Sequence, residues 1–387
     1  MILKNVKMAA TDEPVDIQVI NDKIAEISPS GKIQTGDILN LSFTNAIVFP
    51  GLINSHDHLD FNLFPQLGDK VYNNYTEWGH HIHATYKAEI EDISKIPALL
   101  RSQWGIYKNL LCGVTTVINH GERLKIENGL ITVFEDTQCL HSVQFEKRWK
   151  IRLNNPFKIK LPVNIHVGEG DDWVSYNEID RLTRWNLFKK KLVGVHAVAM
   201  SEEQAKKFEA VVWCPQSNFF LLNKTARINV LKDHTMLLFG TDSTLTSNWN
   251  IWQHLQSARG SMLVNDDILY RALNQNASKV WKLNTGEIAA GRDADIVVAK
   301  IKDNCTGLDA FFTLDPAHLL LVVHKGNIIL FDESLLAQVK AVDLSRFSKI
   351  YIDGICKYVE GDLPGLIKKI REYYPKANFP VTTTKAA

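Results

Sequence analysis

In LVGVHAVAMSEEQAKKFEAVVWC (192–214), an apolar β-branched run ends on His196, a helical stretch follows at Glu202–Glu209, and a second apolar run fills Val211–Cys214. Two short β-rich runs joined by a helix form a βαβ unit, because parallel neighbours need a long crossover between them. The same rhythm extends both ways. Val114–Ile118 (VTTVI), Val163–His166 (VNIH) and Met236–Gly240 (MLLFG) read as further buried strands, and Ala98–Leu111, Tyr176–Lys191 and Asn250–Leu263 as helices. Strands alternating with helices predict an α/β fold, a (β/α)8 TIM-type barrel over 51–283.

The flanks have a different texture. Val15–Ile20, Ile24–Ile27 and Ala46–Phe49 are short strands punctuated by polar turns, and Ala294–Ala299, Leu319–Val323 and Asn327–Phe331 look alike. These segments predict a small β-sandwich domain made of 1–50 plus 284–332, interrupted by the barrel. The remaining tail, 333–387, contains the amphipathic stretch Pro364–Tyr374 and reads as a C-terminal helical extension.

Composition narrows the function by exclusion. With 44 Lys plus Arg against 43 Asp plus Glu, the formal charge of +1 offers no global field for nucleic acid or an anionic membrane. No run of about 18 apolar residues occurs, so no transmembrane helix is expected. Five scattered cysteines without a CxxC pair suit a reducing cytoplasm. The expected partner is a small molecule.

Chemistry concentrates at strand ends. His56–Asp57–His58 follows the apolar run Ala46–Ile53, and residues i and i+2 of a strand project from one face, so both imidazoles can reach one ion. Alone, such a pair is weak evidence for a metal. However, His166, His196 and Asp242 each end or directly follow an apolar strand, the end at which a barrel carries its catalytic groups. Three imidazoles and a carboxylate suit one divalent ion, Zn²⁺ or alternatively Fe²⁺.

The series PGLINSHDHLD, NIHVGE, GVHAV, CPQSN and FGTDS, in that order, resembles the metal-dependent amidohydrolase superfamily, in particular its deaminase and chlorohydrolase-like branch. The resemblance continues through NQNASKVWKL and GEIAAGRDADIVV and spans about residues 1–331. It implies that His56, His58, His166 and Asp242 hold a single metal ion. His196 would face the attacking water or the substrate, Asp242 would accept the water proton, and Glu169, three residues after His166, would be the proton shuttle of a deaminase. Metal-assisted deamination of an amino-substituted heterocycle is the implied reaction. Hydrolysis of a cyclic amide or a chlorotriazine is the alternative, and a catalytically silent binding protein is a third reading. The resemblance also allows a homodimer.

Two features depart from the family. Its binuclear members use a lysine on the fourth strand, whereas Lys147 and Lys150 stand too close to His166 for a full crossover, which favours one metal. The span from His120 to His166 is only 46 residues, so that part of the barrel is expected to be abbreviated. His120, Trp78, Trp173 and Asn218 are candidate substrate contacts. His80, His81 and His83 read as solvated histidines near a helix start, and His141 carries no pattern.

Overall fold

The computed structural model describes residues 1–34, 36, 38–123, 129–302 and 304–385. The N-terminal flank forms strands β1 (Ile2–Met8), β2 (Pro14–Ile20), β3 (Lys23–Pro29), β4 (Asn40–Ser42) and β5 (Ala46–Pro50). The chain then enters β6 (Leu52–Asp57), β7 (Val114–Asn119) and β8 (Thr132–Phe134), which pair in parallel as one sheet. A second parallel sheet contains β9 (Gln138–Ser142), β10 (Val163–Val167), β11 (Leu192–His196), β12 (Ala210–Trp213) and β13 (Met236–Phe239), paired in sequence order. Most of these strands are buried along their whole length, as continuous apolar runs in parallel sheets require.

The two parallel sheets approach each other where β13 ends beside β6. The amides of Thr241 and Asp242 both donate to the His56 carbonyl at 3.1 Å. Gly240 makes that approach possible, since a Cβ there would stand 2.8 Å from the His56 Cβ.

On the far side of the barrel-like region, the short 120–166 span is accommodated without a helix between β8 and β9. Glu135, Asp136 and Thr137 alone separate them, and only the five-residue helix Trp149–Leu153 and a short 3₁₀ turn precede β10. The expected abbreviation therefore falls at the third-to-fourth strand connection.

The C-terminal flank adds β14 (Ile296–Lys300), β15 (Leu319–His324), β16 (Asn327–Asp332), β17 (Phe347–Ile352) and β18 (Ile355–Glu360). Both flanks share one ten-stranded sheet, joined by antiparallel pairing of β5 with β14. The expectation that 333–387 is a helical extension needs correction. Its helix, Leu363–Tyr373, is preceded by the β17–β18 hairpin, which pairs with β16. Asp353 and Gly354 turn that hairpin with φ of 48° and 78°, the backbone that an Asp-Gly pair adopts readily.

One helix boundary also differs. The stretch expected to be helical over Tyr176–Lys191 is a helix at Trp173–Trp185, capped where the Asp172 side chain accepts from the Ser175 amide. It stops because Asn186 closes a turn, accepting from the Lys190 amide and donating to the Lys190 carbonyl. Among the described residues, no helix is long and apolar enough to cross a membrane.

Candidate active site

The polar residues at the strand ends converge. The Nε2 atom of His166 lies 3.2 Å from Nε2 of His56 and 3.2 Å from Nε2 of His58. Oδ1 of Asp242 stands 3.8 Å and 3.6 Å from the same atoms of His56 and His58. Four donors about 2.0–2.1 Å from one tetrahedral zinc-type ion would be separated by about 3.3–3.4 Å, which these four contacts approach. The donor atoms of His56, His120 and His166, and those of His56, His196 and Asp242, each lie within 4.8 Å of one another. The Nδ1–H of His166 donates to the His141 carbonyl at 2.9 Å, leaving Nε2 as the free ligand atom. Burial, reinforced by the neighbouring imidazoles, pushes His56 and His166 well below the usual histidine range, so both are neutral, the form that binds metal.

The remaining groups are oriented from behind. Oδ2 of Asp242 accepts from Ser217 Oγ at 2.8 Å and from Thr246 Oγ1 at 3.1 Å, and Oδ1 accepts from the Ser243 amide. His196 is held by a relay. Trp213 Nε1–H donates to Thr225 Oγ1, which donates to Asn218 Oδ1, and Asn218 Nδ2 donates to His196 Nδ1 at 2.9 Å. That order makes Nδ1 the acceptor and leaves the proton on Nε2, 3.5 Å from Glu169 Oε1 and 3.9 Å from Asp242 Oδ2. His196, Ala197 and Asp242 all have left-handed backbone, with φ of 71°, 52° and 57°. Such positions cost about 1–3 kcal/mol each and concentrate at functional sites.

Glu169 is buried, and burial, with Asp242 and Glu178 nearby, raises it well above the usual carboxylate range. Glu178, one turn into the following helix, accepts from the Gly168 amide at 2.7 Å and from Tyr75 Oη at 3.3 Å, and so fixes the loop between His166 and Glu169.

A buried network beneath the ligands is not evident from the sequence. Asp57, between the two β6 histidines, accepts from Lys108 Nζ at 3.1 Å, Asn109 Nδ2 at 2.7 Å and Asn62 Nδ2 at 2.8 Å. Lys108 also donates to Asn62 Oδ1 and to Thr241 Oγ1, next to Asp242. Its helix, Ala98–Leu111, can lie this close because Gly105 faces the Leu59 carbonyl, where a Cβ would clash.

The cluster opens into a cavity of about 610 Å³ whose outer wall includes Phe61, Phe64, Trp78, Phe145 and Leu245. Trp78 faces this space with its Nε1–H anchored on the Leu67 carbonyl. His80 and His83 line it from the helix Tyr75–Thr85, whereas His81 pairs with Asp69. Trp173 does not reach it. At the first position of its helix it is 72% exposed and stacks on Tyr176, because the Asp172 cap turns that end of the helix outward. Asn218 acts on His196 rather than lining the cavity. His120 borders a second cavity of about 1100 Å³, shared with His58 and His141. His141, which carries no sequence pattern, borders both cavities and receives the His166 bond. Lys147 and Lys150 remain at the exposed surface.

Residues 157–329 match the profile of the amidohydrolase family, a span that takes in His166, Glu169, His196 and Asp242. A protein of Caldicellulosiruptor saccharolyticus named 5-methylthioadenosine/S-adenosylhomocysteine deaminase is 24% identical over 406 aligned positions, covering 85% of this chain and 93% of that protein. A 5'-deoxyadenosine deaminase of Methanococcus aeolicus is 22% identical, covering 74% of this chain and 82% of its own. Among solved structures, a zinc-bound adenosine deaminase from Xanthomonas campestris has the same fold, with a TM-score of 0.70 at 14% identity, covering 97% of this chain and 98% of that one. A zinc complex of the atrazine chlorohydrolase of Arthrobacter aurescens superposes with a TM-score of 0.64 at 15% identity, covering 85% of this chain and 94% of that one. The fold is thus shared with proteins named as a deaminase and as a chlorohydrolase.

Proposed function

We propose that this chain is a hydrolytic deaminase of an amino-substituted aromatic heterocycle. The observation that carries the reading is Glu169, a buried carboxyl 3.5 Å from His196 Nε2 whose pKa burial raises well above the usual carboxylate range, at the base of an aromatic cavity. His56, His58, His166 and Asp242 would hold one divalent ion, with zinc the favoured metal and iron the alternative. That ion supplies Lewis-acid activation of a water molecule at neutral pH.

The chain's own groups account for the protons. Asp242, oriented by Ser217 and Thr246, accepts the proton lost by the attacking water. His196 Nε2–H donates to the charge that develops on the attacked carbon's substituents. Glu169 delivers its proton to the ring nitrogen or the departing amine, which a carboxyl can do at neutral pH only if its pKa is raised. Water adds, ammonia leaves, and the amino carbon becomes a carbonyl carbon. The aromatic wall, including Trp78, excludes water and offers faces for a planar ring to stack on.

The same reading treats β6 to β13 as the eight strands of a (β/α) barrel, thin between β8 and β9, spanning 51–283. Segments 1–50 and 284–332 would form the small β-sandwich domain, extended by 333–387. A reducing cytoplasm accords with five free cysteines, and a homodimer rests on the resemblance alone. The likeness to a chlorohydrolase keeps a second reaction in view, distinguished by the product released.

The decisive experiment is a screen for ammonia, acid and chloride release from aminated purines, pyrimidines and pterins, with cyclic amides and chlorotriazines alongside, on the native protein and Glu169→Gln. Loss of turnover by about 10²–10⁴-fold with metal retained is expected. Undiminished ammonia release by the variant refutes the shuttle, and acid or chloride release in place of ammonia selects the second reaction.

A further inference from the structure

We propose that His120 is a fourth nitrogen donor of the metal centre, joining His56, His58, His166 and Asp242 around one divalent first-row transition ion. The proposal rests on the metal-centre reading above and adds a donor that the resemblance does not imply.

The strand register brings His120 there. In the parallel pairing of β6 with β7, Asp57 stands opposite Asn119, and the His120 amide donates to the Asp57 carbonyl at 2.8 Å. His120 therefore leaves its strand at the level of the His-Asp-His segment. Its ring centroid lies 4.1 Å from that of His166, 4.8 Å from His56 and 5.2 Å from His58.

The second observation is that both ring nitrogens of His120 are buried without a hydrogen-bond partner. The Leu140 carbonyl faces the ring but falls short of hydrogen-bond geometry. A buried polar atom left unpaired costs about 1–3 kcal/mol, and here one ring carries two. The residue is 1% exposed, and neither nitrogen meets solvent although the residue borders the second cavity. It is absent from the wall of the aromatic cavity, which argues against a contact with the ring of a substrate bound there. What does stand close is a pair of the ligands, since single donor atoms of His56, His120 and His166 all lie within 4.8 Å of one another. An ion shared among these nitrogens satisfies a donor that protein groups leave unpaired. Four nitrogens and one carboxylate oxygen exceed a tetrahedral set and define a five-donor centre, which first-row ions accept.

The test uses cobalt(II), whose visible bands strengthen as the number of ligands, the bound water included, falls from six towards four. Metal-stripped native protein, His120→Ala and His120→Gln are titrated with cobalt and followed by absorption. The native protein is expected to show the weaker bands. Both variants should show more intense bands and bind cobalt about 10–100-fold more weakly. Free imidazole should return His120→Ala to the native spectrum. Native affinity and an unchanged spectrum in the variants overturn the proposal. Should neither variant fold, X-ray absorption of the native cobalt protein decides: four imidazoles support it, and three overturn it. The readout does not involve deamination. Cobalt binding that depends on His120 in a protein that releases no ammonia removes only the proposed reaction, and a native protein that takes up no cobalt overturns both.

Discussion

Lys108 and Lys357 are both buried lysines paired with an aspartate, one beneath the candidate metal centre and the other in the C-terminal flank. Lys357 donates to Asp332 Oδ2 at 2.6 Å and to the carbonyls of Ala317 and Leu319 at 2.7 Å, so it ties β18 to β16 and to the start of β15. Against the cost of burial, this ammonium holds Asp332 below the usual carboxylate range. Lys108 instead shares Asp57 with three asparagine amides and reaches Thr241, so its bonds run between the β6 histidine segment and the loop that carries Asp242. The same electrostatic device fastens a strand in one place and joins the His56–Asp57–His58 segment to the loop carrying Asp242 in the other. Burial of a charge therefore does not reveal its purpose. The partners of the counter-ion do.

Breaking the pairs separates these roles. Lys108→Met leaves Asp57 buried without its cation and is expected to cost about 3–5 kcal/mol in urea unfolding. It should also weaken cobalt binding about 10–100-fold. A stability loss with unchanged metal affinity would show that the network serves the fold alone. Lys357→Met is expected to cost a similar 3–5 kcal/mol but to leave the cobalt titration untouched, and adding Asp332→Leu should recover most of the loss. Metal affinity that falls with Lys357→Met would erase the contrast.

Glu178 sharpens the comparison as a buried carboxylate bonded to an amide and a phenol, with burial raising it to about 7. A folded-state value above the unfolded one contributes stability that is fully present below the ordinary carboxylate pKa and is lost as pH rises through about 7. Glu178→Gln removes that dependence. The variant should gain about 1–3 kcal/mol on the native protein between pH 4 and pH 8, measured by unfolding at each pH. Parallel curves would place the titration elsewhere.

The metal-binding candidates were legible because each ends or directly follows an apolar strand, where a polar residue interrupts an otherwise buried run. Lys108 was not, because a lysine in an amphipathic helix reads as solvated, and only the packing of Gly105 on Leu59 turns that face inward. Glu178 was hidden for the same reason. His141 lies within a strand of five residues with no helix before it, too short for a periodic signal. Trp173 illustrates the opposite error, since a large aromatic near the acidic loop suggested a substrate contact, while the helix cap directs it to solvent. The Asp353–Gly354 hairpin was written plainly in the tail, but the amphipathic stretch after it drew the reading towards helix.

The pairing of β5 with β14 has a consequence for biosynthesis. Pro50 faces Ile296, so the strand that leads directly into the His-Asp-His segment leaves the ribosome 246 residues before its partner. At about 5–20 residues per second, one edge of β5 waits roughly 12–50 s, and an open edge is a template for unwanted association. Asp242 arrives almost as late. The nascent chain must therefore be kept apart from its neighbours until its second half is made.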